Sequence, residues 1–213
     1  MKPETLKLLN YCAANSLPEP LILQELTRTT HLKVVQPRML SDWQQGMLLQ
    51  FISKMLCPRY ILEIGTFTGY SAICLAQGLQ QDGVLHTYDV DDEVLEIAKP
   101  FFARCNKSTQ IVVHQQDAKR SVPQLGITFD LIFMDGDKRE YLQDYELALS
   151  VLRKGGFLLA DNVLWNGKIL EQAHPNDKHT LTLQQFNDMI QNDPRVENLM
   201  LPLRDGLTIV RKC

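Results

Sequence analysis

The sequence predicts an α/β protein: a doubly wound, mostly parallel sheet of seven strands preceded by N-terminal helices. Three observations predict it. Strand-like apolar runs alternate with helix-spaced segments from residue 60 onward, the pattern of a parallel sheet with crossover helices. The first run, Ile61, Leu62 and Ile64, opens into Gly65 and Gly69, and Ser71 then begins a helical spacing of Ile73, Ala76 and Leu79. The last two runs are joined by Arg204–Asp205–Gly206, a hairpin signal that turns the final strand antiparallel to its neighbour.

The elements follow in order. Leu6, Leu9 and the stretch Tyr11–Ala14 suggest one helix, which Pro18 and Pro20 break, and Leu21, Leu23 and Leu26 suggest a second. Residues 1–38 thus read as a helical extension: a lid or an oligomer contact. After Pro37, Ser41 and Asp42 offer an N-cap for a helix through Met47, Leu48, Phe51, Ile52 and Met55. Strands are expected at 60–64, 84–89, 110–114, 129–134, 156–160, 196–202 and 206–212, with helices near 70–80, 92–105, 117–125, 138–153 and 180–192. Gly155–Gly156 reads as the turn into the fifth strand. The least regular stretch, about 163–180, follows that strand's carboxyl end, where loops carry function. With no repeat or linker, residues 1–213 form a single expected domain.

Composition excludes several classes. A net charge of −3 opposes a nucleic-acid partner, which would leave a basic footprint. No apolar run reaches membrane-span length, and Met1–Glu4 does not open a signal peptide. Five scattered cysteines lack metal spacing; Cys57 and Cys74 sit in apolar runs as reduced core or near-core residues, and a cytoplasmic location is expected.

In an open α/β sheet a ligand lies beyond the carboxyl ends of the strands, so the residues there carry the functional reading. The first strand supplies Glu63 and Gly65; Glu63-x-Gly65-x-x-x-Gly69 differs from the dinucleotide Gly-x-Gly-x-x-Gly. The second ends at Asp89, 20 residues after Gly69, where a carboxylate can accept from both hydroxyls of a ribose. Its alternative is capping of the next helix, a role better suited to Asp91 and Asp92. After the third strand, Asp117 can accept an adenine amine while the next N–H, at Ala118, donates to the ring; an N-cap is the equal alternative. The fourth strand ends in Asp135–Gly136–Asp137–Lys138 and the fifth in Asp161–Asn162. Two carboxylates and an amide oxygen suit Mg²⁺ or another hard cation such as Ca²⁺ or Mn²⁺, not zinc. Helix capping by Asp135 or Asp137, and a turn at Asp161–Asn162, are the alternatives.

Together, Glu63-x-Gly65-x-x-x-Gly69-Tyr70-Ser71, Asp135-x-x-Lys138, Asp161-Asn162 and the following Leu164–Trp165–Asn166–Gly167 resemble the divalent-metal-dependent O-methyltransferases, which include catechol and caffeoyl-coenzyme A O-methyltransferases and small bacterial relatives. The likeness runs from about Met39 through Leu201–Leu207 to the C-terminus. It implies a Rossmann-like fold with S-adenosylmethionine as cofactor. It also implies that Glu63 and Gly65 line the cofactor pocket, that Ser71 meets the cofactor's carboxylate, that Asp89 binds its ribose, and that Asp117 and Ala118 bind its adenine. Asp135 would both ligate the metal and face the cofactor's amino group; Asp161 and Asn162 would complete the protein ligands, and Lys138 would be the catalytic lysine. The segment Met39–Leu40–Ser41 matches a backbone contact to the cofactor, although Ser41–Asp42–Trp43–Gln44 stands where relatives often have Ser-Pro-Glu. Leu199 stands near a position where catechol O-methyltransferase has a glutamate. Relatives are often dimers, so a homodimer is expected.

The chemistry is consistent with that resemblance. A phenol of pKa ~10 is ionised to roughly one part in a thousand at pH 7, and lowering it by ~3 units is worth about 4 kcal/mol. A cation chelated by two adjacent hydroxyls supplies this as Lewis acid and template, and Lys138 takes the remaining proton. The expected reaction is methyl transfer to one hydroxyl of a small aromatic diol. The competing readings are a nicotinamide-dependent oxidoreductase, opposed by the absent first glycine, and a non-catalytic cofactor-binding protein, opposed by Lys138 beside the acidic pairs. Tyr141 and Tyr145 read as packing, His174 and His179 as surface, and Trp165 as an aromatic wall for the acceptor.

Overall fold

The computed structural model describes residues 3–213; Met1, Lys2 and the side chain of Leu6, the first apolar position of the expected opening helix, lie outside the described residues. Helices α1 (Pro3–Ala14) and α2 (Leu21–Lys33) are separated by the Pro18–Pro20 break, and a short turn at Pro37–Met39 leads into α3 (Trp43–Leu56). Asp42 caps α3, accepting from Gln45 N at 2.8 Å. Alternating strands and helices follow: β1 (Tyr60–Ile64), α4 (Tyr70–Ala76), β2 (Val84–Asp89), α5 (Asp92–Arg104), β3 (Ile111–Gln115), α6 (Ala118–Ser121), β4 (Phe129–Met134), α7 (Tyr141–Val151), β5 (Leu152–Asp161), α8 (Lys178–Gln191), β6 (Val196–Leu201) and β7 (Leu207–Lys212).

The seven strands form one sheet in the order β3-β2-β1-β4-β5-β7-β6. The first five are parallel to one another, and β7 runs antiparallel between β5 and β6. Side chains alternate between two cores, as a strand period of two requires. Ile61, Leu131 and Phe133 pack with Leu49, Leu75 and Phe101 on one face. Leu62, Ile132 and Met134 pack with Tyr145, Leu149 and Phe186 on the other. Both faces are therefore covered, which explains the near-continuous apolar strands.

Strand order reverses between β1 and β4, so the crevice opens above Gly65 and Asp135. The strands stay paired to that point: Asp135 N donates to Ile64 O at 2.8 Å. A Cβ on Gly65, whose φ is +100°, would lie 2.4 Å from the Asp135 carbonyl oxygen, so only glycine lets the two strand ends close up here.

Several boundaries differ from expectation. The fifth strand begins at Leu152, not 156, because Leu152 already pairs with Phe129; Gly155, at φ +73°, lies in the register shift inside the strand instead of in a turn before it. The helix expected at 138–153 is a tight turn over Lys138–Glu140 followed by α7. That expected at 117–125 splits into α6 and a tight turn beginning at Val122, where Pro123 supplies no N–H. Helix α4 ends at Ala76, short of 80, and α8 starts at Lys178, capped by Asp177. Cys74 is buried as expected, whereas Cys57 is exposed, because it is the left-handed residue that ends α3.

Candidate active site at the carboxyl ends of the strands

The crevice floor begins with Glu63, fully buried on β1. Thr87 Oγ1 donates to its Oε2 at 2.5 Å, and Oε1 is buried without a hydrogen-bond partner among the described residues. Burial pushes its carboxyl up to about 8, against the pull of the Ser71 and Thr87 hydroxyls. Above it, Ser41, Gly65, Phe67, Ser71 and Asp135 line a narrow cleft bordered by the Met39–Ser41 strap. A buried carboxyl with an open hydrogen-bonding position, next to Ser71 on the cleft wall, fits a polar ligand there.

Asp89 ends β2, and its carboxylate accepts from Phe67 N at 2.7 Å and from Asp91 N at 3.0 Å. It thus ties the glycine-rich turn to β2; burial raises its pKa. Asp91, not Asp92, caps α5, and Asp92 is the helix's first residue. Asp117 caps α6 through Lys119 N at 2.9 Å, with Ala118 buried behind it. The capping alternative is therefore real for Asp117, yet each carboxylate oxygen carries two lone pairs and keeps acceptor capacity.

The acidic residues at the ends of the adjacent strands β4 and β5 lie close enough for the Asp135 charge to act on Asp161. Asp135 Oδ1 accepts from Lys138 Nζ at 2.7 Å, and Lys138 is buried, so this ion pair is shielded from solvent. Lys138 Nζ also donates to the Tyr141 hydroxyl at 2.7 Å, and that hydroxyl contacts the carbonyls of Met134 and Asp161 at 3.1 and 2.9 Å. Burial holds the Tyr141 phenol well above its ordinary pKa, which keeps it a donor. Asp137, not Asp135, caps the turn at Lys138, accepting from Arg139 N.

Asp161 is 3% exposed. Gln45 Nε2 donates to its Oδ2 at 2.7 Å and Asn162 N to its Oδ1 at 2.8 Å. Its pKa is raised, first by burial and then by the nearby Asp135 carboxylate. Two carboxylates that repel in a low-dielectric pocket, beside the Asn162 amide held at φ +59°, fit a hard cation by donor chemistry, although no cluster of three His, Cys, Asp or Glu groups stands among the described residues.

The loop after Asn162 is pinned to the β6–β7 turn: Leu164 N donates to Asp205 O at 2.8 Å and Asn166 N to the Asp205 carboxylate. Trp165, half-buried at φ +48°, stacks on His179 with ring centroids 5.6 Å apart. His179 is on the surface as expected, its ring open to solvent on one side and stacked on the indole on the other, and His174 is exposed. Tyr145 packs in the core as expected, whereas Tyr141 also holds Lys138. Gln45 and Arg204 escaped the sequence reading. The available signal for Gln45 was a polar residue in register with Leu49 and Ile52 on the buried stripe of α3.

The sequence profile of the O-methyltransferase family matches residues 13–213. The chain belongs to that family. Its relatives include the catechol O-methyltransferase domain-containing protein 1 of Mus musculus, 32% identical over 100% of this chain and 82% of the relative. A probable caffeoyl-CoA O-methyltransferase 1 of Dictyostelium discoideum is 30% identical over 96% of this chain and 91% of its own. Among solved structures, an O-methyltransferase of Streptomyces achromogenes involved in tomaymycin synthesis, in complex with S-adenosylmethionine, superposes with a TM-score of 0.91 at 26% identity, covering 100% of this chain and 99% of that one. An O-methyltransferase of Bacillus cereus in complex with S-adenosylhomocysteine superposes at 0.88 with 28% identity, covering 96% of each chain. The seven-stranded sheet of this chain thus has the fold of these two solved methyltransferases.

Proposed function

We propose that this O-methyltransferase transfers the methyl group of S-adenosylmethionine to one hydroxyl of a vicinal aromatic diol, with a divalent cation at Asp135, Asp161 and Asn162. The observation that carries the reading is the Asp135–Lys138 ion pair at the β1–β4 crossover, with the Asp161 carboxylate near enough to feel its charge. S-adenosylmethionine supplies the electrophilic methyl, and relatives solved with it or its product support that choice. In this reading the cofactor occupies the cleft over Gly65, with Ser41 and Ser71 at its methionine end, Glu63 below, Asp89 at its ribose, and Asp117 with Ala118 at its adenine.

A divalent cation, when bound, supplies the Lewis-acid charge that makes a chelated phenol acidic near neutral pH. Lys138, held by Asp135 and Tyr141, is the general base: as the neutral amine it takes the remaining hydroxyl proton and becomes the ammonium that Asp135 pairs. Tyr141 keeps that amino group from swinging to solvent, and Trp165 walls the ring of the acceptor. Exposed Leu17, Leu21, Leu32 and Val35 on and beside the N-terminal helices support a homodimer, to be measured by sedimentation. No described helix is long and apolar enough to cross a membrane, and the free cysteines support a cytoplasmic setting.

The test is methyl transfer to a panel of catechols and mono-phenols, with and without chelator, alongside Lys138→Ala and Asp161→Ala. Diol-selective activity that chelator and both substitutions abolish is the expected result. Mono-phenol methylation that survives chelation would reject the cation and the base together.

A further inference from the structure

The polar side chain at residue 45 and the guanidinium at residue 204 join two parts of the site that the fold brings from distant stretches of chain. Gln45, 1% exposed, donates from Nε2 to Asp161 Oδ2 at 2.7 Å and accepts at Oε1 from Arg204 Nη1. The same guanidinium donates from Nη2 to the Leu40 carbonyl at 3.0 Å and lies 3.3 Å from Asp42 Oδ2 through Nε. Leu40 and Ser41, both buried, border the narrow cleft above Gly65 and also a second cavity of ≈ 410 Å³ lined by Trp43, His31 and Arg204. The backbone hydrogen bonds of this strap are the local Met39 N–Gln36 O and Leu40 N–Pro37 O contacts, and the bond from Arg204 to the Leu40 carbonyl is the one that ties it to the β6–β7 turn. Besides the packing of Leu40 in the core, the guanidinium is therefore what fixes the strap against the rest of the site.

We propose that Arg204 and Gln45 are positioning residues that tie the roof of the cofactor cleft to the Asp161 carboxylate, so that cofactor and cation each tighten the binding of the other. The inference rests on the proposed S-adenosylmethionine and cation sites. Its physical content is reciprocal coupling: a cation that orders Asp161 also orders Gln45, Arg204 and the Leu40 carbonyl, and a ligand seated under the strap orders the same chain from its other end. The backbone at Arg204 has φ +50°, a left-handed conformation that strains a side-chain-bearing residue and that glycine adopts freely. The guanidinium contacts to Gln45 and Leu40 offset that strain.

The experiment is calorimetric titration of the full chain with S-adenosylhomocysteine at zero and saturating Mg²⁺, and with Mg²⁺ at zero and saturating S-adenosylhomocysteine. Wild type, Arg204→Gly, Gln45→Met and Arg204→Lys are compared, each with its thermal midpoint. In the wild type each ligand is expected to tighten the other by the same factor, about fivefold or more. Arg204→Gly removes the clamp without backbone strain, so its thermal midpoint should hold while the factor falls below about twofold. Gln45→Met should lose the same factor through the Asp161 end. Arg204→Lys, which keeps one donor but not the fork, should restore part of it. A factor unchanged in a folded Arg204→Gly, or a wild type that binds both ligands independently, overturns the proposal. A wild type that binds neither refutes the proposed function first.

Discussion

Gly65→Ala is the perturbation whose cost can be worked most directly from the coordinates. An alanine Cβ there would stand 2.4 Å from the Asp135 carbonyl oxygen, 2.7 Å from its carbon and 2.9 Å from Gly136 N. All three atoms are backbone, so no side chain can rotate away. Placing an L-residue at positive φ costs about 1–2 kcal/mol. Overfilling a close-packed contact adds typically 1–3 kcal/mol. Gly65→Ala should therefore destabilise by about 2–5 kcal/mol, or about 5–15 °C in a chain of this size. Gly126→Ala is the internal control: Gly126 is also left-handed, at φ +62°, but nothing lies within 4 Å of an added Cβ. It should cost only the backbone part, about 1–2 kcal/mol. Urea unfolding of both variants, with equal m-values as the check on the denatured state, measures the difference. Because the clash pushes on Asp135, Gly65→Ala should also weaken S-adenosylhomocysteine binding, which Gly126→Ala should leave intact. Stabilities within about 0.5 kcal/mol of each other would refute the claim that strand-end contact at the crevice demands glycine.

Three further predictions use other parts of the site. Tyr141→Phe removes the hydroxyl shared by Lys138 Nζ and the Asp161 carbonyl, leaving buried groups unpaired. A loss of about 1–3 kcal/mol by denaturant unfolding is expected, with kcat falling more than KM rises. Asp144 is almost fully buried on α7, and burial raises its carboxyl to about 6 despite Lys119 at 3.5 Å. Folded protein then binds that proton more tightly than unfolded chain, so this residue's contribution to stability falls as pH rises from about 4 to about 6. Asp144→Asn should gain about 2 kcal/mol relative to wild type at pH 7.5 compared with pH 4, read from unfolding curves at the two values; an equal difference at both would reject it. Trp165→Ala should raise KM for aromatic diols about tenfold while leaving S-adenosylhomocysteine affinity unchanged, since the indole stacks on His179 and does not line the cleft over Gly65. Equal loss of both affinities in titrations would move Trp165 out of the acceptor wall.

Much of the sheet was legible because its strands are local events. Ile61–Ile64 and Phe129–Met134 are apolar on both faces, and the glycines and acids at their ends mark where each strand stops. The positions at the crevice were legible for the same reason: Glu63, Asp89 and Asp161 lie at the ends of their strands, and Gly65 and Asp135 stand just beyond theirs. Features set by pairing were not. The early start of β5 depends on Leu152 meeting Phe129, which no periodicity around Gly155 reveals. The Gln45–Asp161 bond joins groups 116 residues apart, and the Arg204–Gln45 bond spans 159. That the surface residue His179 would stack on Trp165 was equally hidden. Such contacts exist only once the chain has collapsed, so local pattern carries no trace of them.

The placement of β7 between β5 and β6 has a consequence for biosynthesis. Residues 207–212 pair along Phe157–Asp161, and the turn before them presents Arg204 and anchors the Trp165 loop through Asp205. While the ribosome still holds that stretch, β5 has an unsatisfied edge and neither the loop nor the strap has its anchor. Completion of the site thus waits for β7, and a chain lacking it would present the bare edge of β5 with the Trp165 loop and the strap unanchored.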